Sequence, residues 1–195
     1  MYEKAWFIEQ INNNELMEQL SKIALVVTDV DGCLTNNTLH VPTEGDILAK
    51  TFNFSDGQPV QWAQDAGIHV TFLSGSRSTG GATHKQAQRV NLSEGNCFTV
   101  PPADKQHIIR ELQERYAVGT QQTLLFGDDV QELMITELGK LFACPNTALF
   151  YVQDQADLVI PRAGGEGSFR LLMDLLLIAQ DKHPYAEYIM QSCGM

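Results

Sequence analysis

The chain has 195 residues, 44% of them apolar and 19% charged, with a formal net charge of −11 at pH 7. That length suits a single domain, residues 1–195, built on one good-sized core. The acidic balance gives the chain no electrostatic reason to bind nucleic acid or an anionic membrane, so an anionic ligand must be held by a local site or a bound cation. Cys33, Cys97, Cys144 and Cys193 form no C-x-x-C pair and read as reduced thiols. The N-terminal residues are acidic with no apolar core segment, and no run is long and apolar enough to span a bilayer. The cytoplasm is the expected location.

In chain order, Trp6, Ile8, Ile11, Leu16 and Leu20 recur at roughly helical spacing, which predicts an amphipathic helix within residues 1–22. Ile23 to Thr28 is a continuous β-prone apolar run that stops at Asp29-Val30-Asp31-Gly32. A run with no polar alternation predicts a strand buried on both faces, as in a parallel sheet. Residues 36–54 read as a hairpin turning around Thr43-Glu44-Gly45-Asp46. A helix is expected over 57–66, ended by Gly67 as its C′ residue. A strand over 69–73 ends at Ser74-Gly75-Ser76, and a helix covers 79–90. A further helix runs from Ala103 to Tyr116. The run Thr123 to Phe126 is another buried strand, ending at Gly127-Asp128-Asp129 and followed by a helix to about Leu138. Leu158–Ile160 is a short strand and Ser168–Gln180 the last helix. The tail, 181–195, shows no period. Alternating strands and helices predict a doubly wound parallel α/β sheet, with its ligand site beyond the carboxyl ends of the strands.

Those strand ends carry the chemistry. The fold gathers Asp29, Asp31, Ser74, Gly75, Lys105 and Asp128 at one sheet edge. Clustered carboxylates repel unless a cation sits among them. Hard oxygen ligands suit Mg²⁺, which completes its shell with water and phosphate oxygen. Asp29 can attack phosphorus, Asp31 can protonate the leaving oxygen, and Ser74 and Lys105 can hold the phosphoryl oxygens. A lone D-x-D-G is also an ordinary turn, but the calcium-loop reading needs a ligand at Cys33 and a glycine at Leu34.

The segments Asp29-Val30-Asp31-Gly32-Cys33-Leu34-Thr35, Ser74-Gly75, Lys105 and Gly127-Asp128-Asp129 resemble the ordered motifs of the haloacid dehalogenase superfamily of phosphatases. F-N-F-S-D-G at 52–57 and G-G-E-G-S-F-R at 164–170 narrow the resemblance to the phosphatases of 3-deoxy-manno-octulosonate 8-phosphate and of related nine-carbon sugar-acid phosphates. The resemblance implies a Rossmann-like core with a small β-hairpin and no separate cap domain. It implies Asp29 as nucleophile and Asp31 as acid and base. It implies Mg²⁺ on the Asp29 carboxylate, the Asp31 carbonyl and the Asp128 carboxylate. Ser74 and Lys105 would hold phosphate, and Ser55, Asp56, Gly57, Gly75, Ser76 and Arg77 would border the substrate. A homotetramer is implied as well. Where the octulosonate phosphatases carry Arg, this chain has Ser55 and Ser76, and where they carry Arg or Lys it has Glu166. Glu132 replaces an Asp, which implies a looser surround. A phosphoacceptor signalling domain would not need Asp31, and a non-catalytic oligomerisation module would have lost the carboxylates.

Overall fold

The computed structural model describes residues 2–40, 43–44, 49–75 and 80–195. Six strands form one parallel sheet in the order β5-β4-β1-β6-β7-β8. Its centre is β1 (Leu25–Thr28), flanked by β4 (His69–Ser74) and β6 (Thr123–Phe126). The outer strands are β5 (Cys97–Thr99), β7 (Leu141–Pro145) and β8 (Leu158–Ile160). The chain builds outward from β1 through β4 to β5, then returns to the other side of β1 for β6. That reversal opens a crevice at the carboxyl ends of β1, β4 and β6.

Both faces of the sheet are covered. Val26, Phe72, Leu124 and Phe126 point into one core with α2 (Asn14–Leu20), α3 (Phe54–Asp65) and α8 (Ser168–Ala179). Leu25, Val27, Leu73 and Leu125 point into the other with Ile109 and Leu112 of α5 (Lys105–Arg115). This two-sided burial is why β1, β4 and β6 carry no polar alternation.

Several boundaries differ from the sequence reading. The N-terminal helix is two helices, α1 (Tyr2–Ile11) and α2, because the Asn13 side chain accepts a hydrogen bond from Leu16 N–H and starts a new helix. Strands β5 and β7 were not foreseen. The helix after β6 is a short α6 (Val130–Leu133) with a separate turn at Thr136–Leu138, and α7 (Phe150–Gln153) follows β7. Helix α4 spans Gly80–Arg89, and Gly67 ends α3 at φ 80° as expected.

The tail is also ordered. Within it, α9 (Ala186–Cys193) packs Ile189 and Cys193 on the core of its own chain. Buried His183 fixes the approach: its Nε2 lies 2.8 Å from Asp174 Oδ1 on α8, and its Nδ1 accepts from Tyr185 N–H.

The second sheet is a hairpin of β2 (Thr35–His40) and β3 (Ala49–Phe52). Its turn falls largely outside the described residues, as do Val41, Ile47 and Leu48. Between the pairs Thr35–Phe52 and Leu39–Lys50, four steps along β2 match two along β3. This bulge bends the hairpin over the end of β1. Among the described residues, no helix is long and apolar enough to cross a membrane.

Candidate active site

The crevice beyond β1, β4 and β6 is a cavity of about 270 Å³ lined by Asp29, Asp31, Gly75, Asp128 and Glu132 among others. Asp29 follows the last residue of β1, and its N–H is held by the Phe126 carbonyl at 2.8 Å, which fixes motif one against β6. Lys105, the first residue of α5, is 2% exposed. Its Nζ lies 2.5 Å from Asp29 Oδ1 and 2.5 Å from Glu132 Oε1. Burial works against the ammonium, but the Asp29 and Glu132 carboxylates outweigh it and hold its pKa up. A buried lysine needs such partners, because an unpaired buried charge is costly.

Glu132 is engaged on both oxygens. Oε2 accepts from Asp129 N–H at 3.2 Å, closing a capping box at the start of α6, while Oε1 takes Lys105. The longer side chain therefore reaches its partners, and the looser surround expected of Glu132 is not found.

Asp31 points the other way. Lys50, from β3, lies 2.7 Å from each of its carboxylate oxygens, with the Lys50 side chain fully buried. Ser74 Oγ donates to Asp31 Oδ2 at 3.3 Å. Lys50 escaped the sequence reading, because its partner lies across the hairpin and no local pattern marks it.

Asp128 completes the cluster. Gly32, at φ 91°, lets it approach: a Cβ there would sit 1.9 Å from Asp128 Oδ2. A side chain at Gly32 would thus fill the space beside the Asp31 backbone. Burial comes first in pushing the Asp128 pKa up to about 8, followed by the Asp29, Glu132 and Asp129 charges. Burial likewise raises Asp29, against the pull of Lys105. The Asp31 carbonyl oxygen accepts no hydrogen bond among the described residues. Two raised carboxylates beside a free carbonyl fit a hard divalent cation, which takes few protein ligands and keeps its waters. The site supplies no cage of three or more ionisable side chains among the described residues, and this chemistry does not require one.

The other substrate-side candidates are placed less directly. Asp56 is buried, and its oxygens accept from Gly167 N–H (3.1 Å) and Arg170 N–H (2.8 Å). It caps the start of α8 rather than lining the cavity; burial raises its pKa to about 6. Ser55 Oγ donates to Asn53 Oδ1, and Gly57 packs against Val90. Gly75 does line the cavity. Ser76 and Arg77 lie outside the described residues. The 164–167 loop abuts motif one: Gly165 N–H donates to the Cys33 carbonyl, and a Cβ on Gly164 would meet Gly32 O at 1.6 Å.

No protein-family profile matches the chain. Among curated proteins, it is 31% identical over 168 residues to the 3-deoxy-D-manno-octulosonate 8-phosphate phosphatase KdsC of Haemophilus influenzae, covering 86% of this chain and 89% of that protein. The chain belongs to the KdsC family of the haloacid dehalogenase superfamily. A cobalt-bound structure of the deoxy-D-mannose-octulosonate 8-phosphate phosphatase from H. influenzae has a TM-score of 0.78 at 30% identity, covering 86% of this chain and 94% of that one. A haloacid dehalogenase hydrolase of subfamily III A from Legionella pneumophila gives 0.80 at 27% identity, covering 94% and 96%. As a KdsC-family member, the chain is a phosphoric monoester hydrolase.

The raised Asp128 pKa has a consequence for stability. A carboxyl whose folded pKa lies above its unfolded value contributes stability that is present near pH 4 and lost as pH rises through the folded pKa, here about 8. In the presence of a chelator, the urea midpoint should fall between pH 6 and pH 8.5. Asp128→Asn, which cannot titrate, should flatten that slope. A wild-type midpoint that is level or rising over this range, or an unchanged slope in the variant, would contradict the cluster's electrostatics.

Proposed function

We propose that the chain hydrolyses the phosphate monoester of a 2-keto-3-deoxy sugar acid, 3-deoxy-D-manno-octulosonate 8-phosphate, through an aspartyl-phosphate on Asp29. The observation that carries this reading is the convergence of Asp29, Asp31 and Asp128 on one cavity, with Gly32 leaving room for Asp128. Similarity to the KdsC phosphatases supplies the substrate.

In this reading, an Asp29 carboxylate oxygen attacks phosphorus and the bond from phosphorus to the sugar oxygen breaks. Asp31, in its protonated form, gives its proton to that sugar oxygen. Asp31 then takes a proton from water, whose oxygen attacks phosphorus and frees Asp29 and inorganic phosphate. Lys50 and Ser74 orient the Asp31 carboxyl, and Lys105 keeps Asp29 aimed from α5. Mg²⁺ would be held by the Asp29 and Asp128 carboxylates and the Asp31 carbonyl. When bound, it supplies positive charge against both the protein carboxylates and the phosphate.

A second reading, a nine-carbon sialic-type 9-phosphate, is favoured by one observation. Ser55 and exposed Glu166 stand where the octulosonate phosphatases carry cations. Assaying both sugar phosphates side by side decides between them. In that assay with Mg²⁺, Asp29→Asn should lower turnover by at least about 10³, since it removes the nucleophile and one metal carboxylate. Chelator should abolish wild-type turnover. A variant keeping a tenth of the activity, or full activity in chelator, would contradict the mechanism.

The assembly is part of the proposal. An isolated two-stranded hairpin is marginal in water, and β2 exposes nearly its whole length. Among the described residues no element forms a cap domain that would exclude water from an acyl phosphate. The hairpin, or the tail with its exposed Tyr185 and Tyr188, would border a neighbour's site. Subunits arranged in a closed ring would protect the hairpin edges. Light scattering should give a tetramer, four times the 21.7 kDa chain. A monomer at micromolar concentration would contradict it.

A further inference from the structure

Asn37 has no role in the chemistry above, yet the fold brings it to the cavity. It lies in the β2 bulge, one of the few described residues other than glycine with positive φ, at 60°. Asn tolerates that left-handed conformation better than most residues, but glycine adopts it without steric cost. The backbone alone therefore needs no side chain here. The side chain present lines the same cavity as Asp29, Asp31 and Asp128. Its backbone N–H is held by Thr35 Oγ1 at 3.3 Å, while its side-chain amide makes no hydrogen bond among the described residues. Nearby Asn36, by contrast, spends its oxygen on Thr38 N–H.

The cavity wall around Asn37 is acidic, with Asp31, Asp129 and Glu132 contributing carboxylates. The part of a substrate that meets Asn37 must tolerate that field, which favours an uncharged polar group. A carboxamide offers both donors and an acceptor, and a sugar hydroxyl offers the same in return. An aryl leaving group offers neither near its phosphate.

We propose that Asn37 determines leaving-group specificity, its side-chain amide hydrogen-bonding a hydroxyl of the sugar that carries the phosphate. This rests on the phosphatase reading above. Asn37 acts on recognition of the departing alcohol, so its loss raises KM for a hydroxyl-rich substrate more than it lowers kcat.

The test compares Asn37→Gly with wild type on two esters in Mg²⁺: 3-deoxy-D-manno-octulosonate 8-phosphate and p-nitrophenyl phosphate. Gly keeps the left-handed backbone and removes only the amide. The ratio of kcat/KM between the two esters should fall about tenfold, mostly through KM of the sugar phosphate, as expected for one lost hydrogen bond. An unchanged ratio in an active Asn37→Gly overturns the proposal. So does an Asn37→Ala variant impaired equally on both esters beside a fully active Asn37→Gly, which would assign the residue to backbone conformation alone. If wild type hydrolyses neither ester, the phosphatase reading fails and this inference falls with it. If wild type hydrolyses both and Asn37→Gly keeps the ratio, only this inference fails.

Discussion

The site depends on a buried ammonium at the start of α5. Lys105 Nζ bridges Asp29 and Glu132, and through them ties the start of α5 to the end of β1 and to α6. Without it, two buried carboxylates would face each other; breaking such a buried pair costs about 3–5 kcal/mol. One lysine cannot balance the whole cluster, because Asp31, Asp128 and Asp129 border the same cavity. Lys50 answers Asp31 from the hairpin side. Asp128 meets the Cys33 thiol at 3.9 Å and keeps a raised pKa. The residual negative charge sits where, in the proposed reaction, a divalent cation and a phosphate would meet.

Backbone clearance shapes the rest. Gly32 makes room for Asp128, and Gly164 lets the loop before α8 press against the Gly32 carbonyl. That loop is in turn anchored by Asp56, which caps α8 from the start of α3. Motif one is therefore braced from behind by a segment more than a hundred residues away. The F-N-F-S-D-G and G-G-E-G-S-F-R segments meet in this brace, so their resemblance reports a structural contact.

Much of this was legible in the sequence, for a physical reason. A strand buried on both faces must be continuously apolar, so the polar residues that stop β1, β4 and β6 stand out. Three such stops, with Lys105 between them, give the sheet edge and its chemistry. Strands β5 and β7 were not legible because three to five apolar residues without period look the same in a strand, helix or loop. Lys50 and Asp56 were misplaced or missed because their partners are set by tertiary packing: a hairpin folded over motif one, and a helix end 111 residues along the chain. The tail helix, half polar, is ordered by the His183–Asp174 contact and the core packing of Ile189 rather than by its own pattern. The split at Asn13 did carry a signal, a run of three asparagines suited to capping, which the apolar spacing on either side obscured.

The proposed chemistry needs the Asp29 and Asp128 carboxylates to be held ready for a divalent cation. Calorimetric titration of Mg²⁺ into the chelator-treated protein at pH 7, in buffers of differing ionisation heat, tests it directly. One ion should bind per chain, with net proton release as the raised Asp128 carboxyl ionises, and that binding should be lost in Asp128→Asn. Binding that releases no protons, or that persists unchanged in Asp128→Asn, would contradict it.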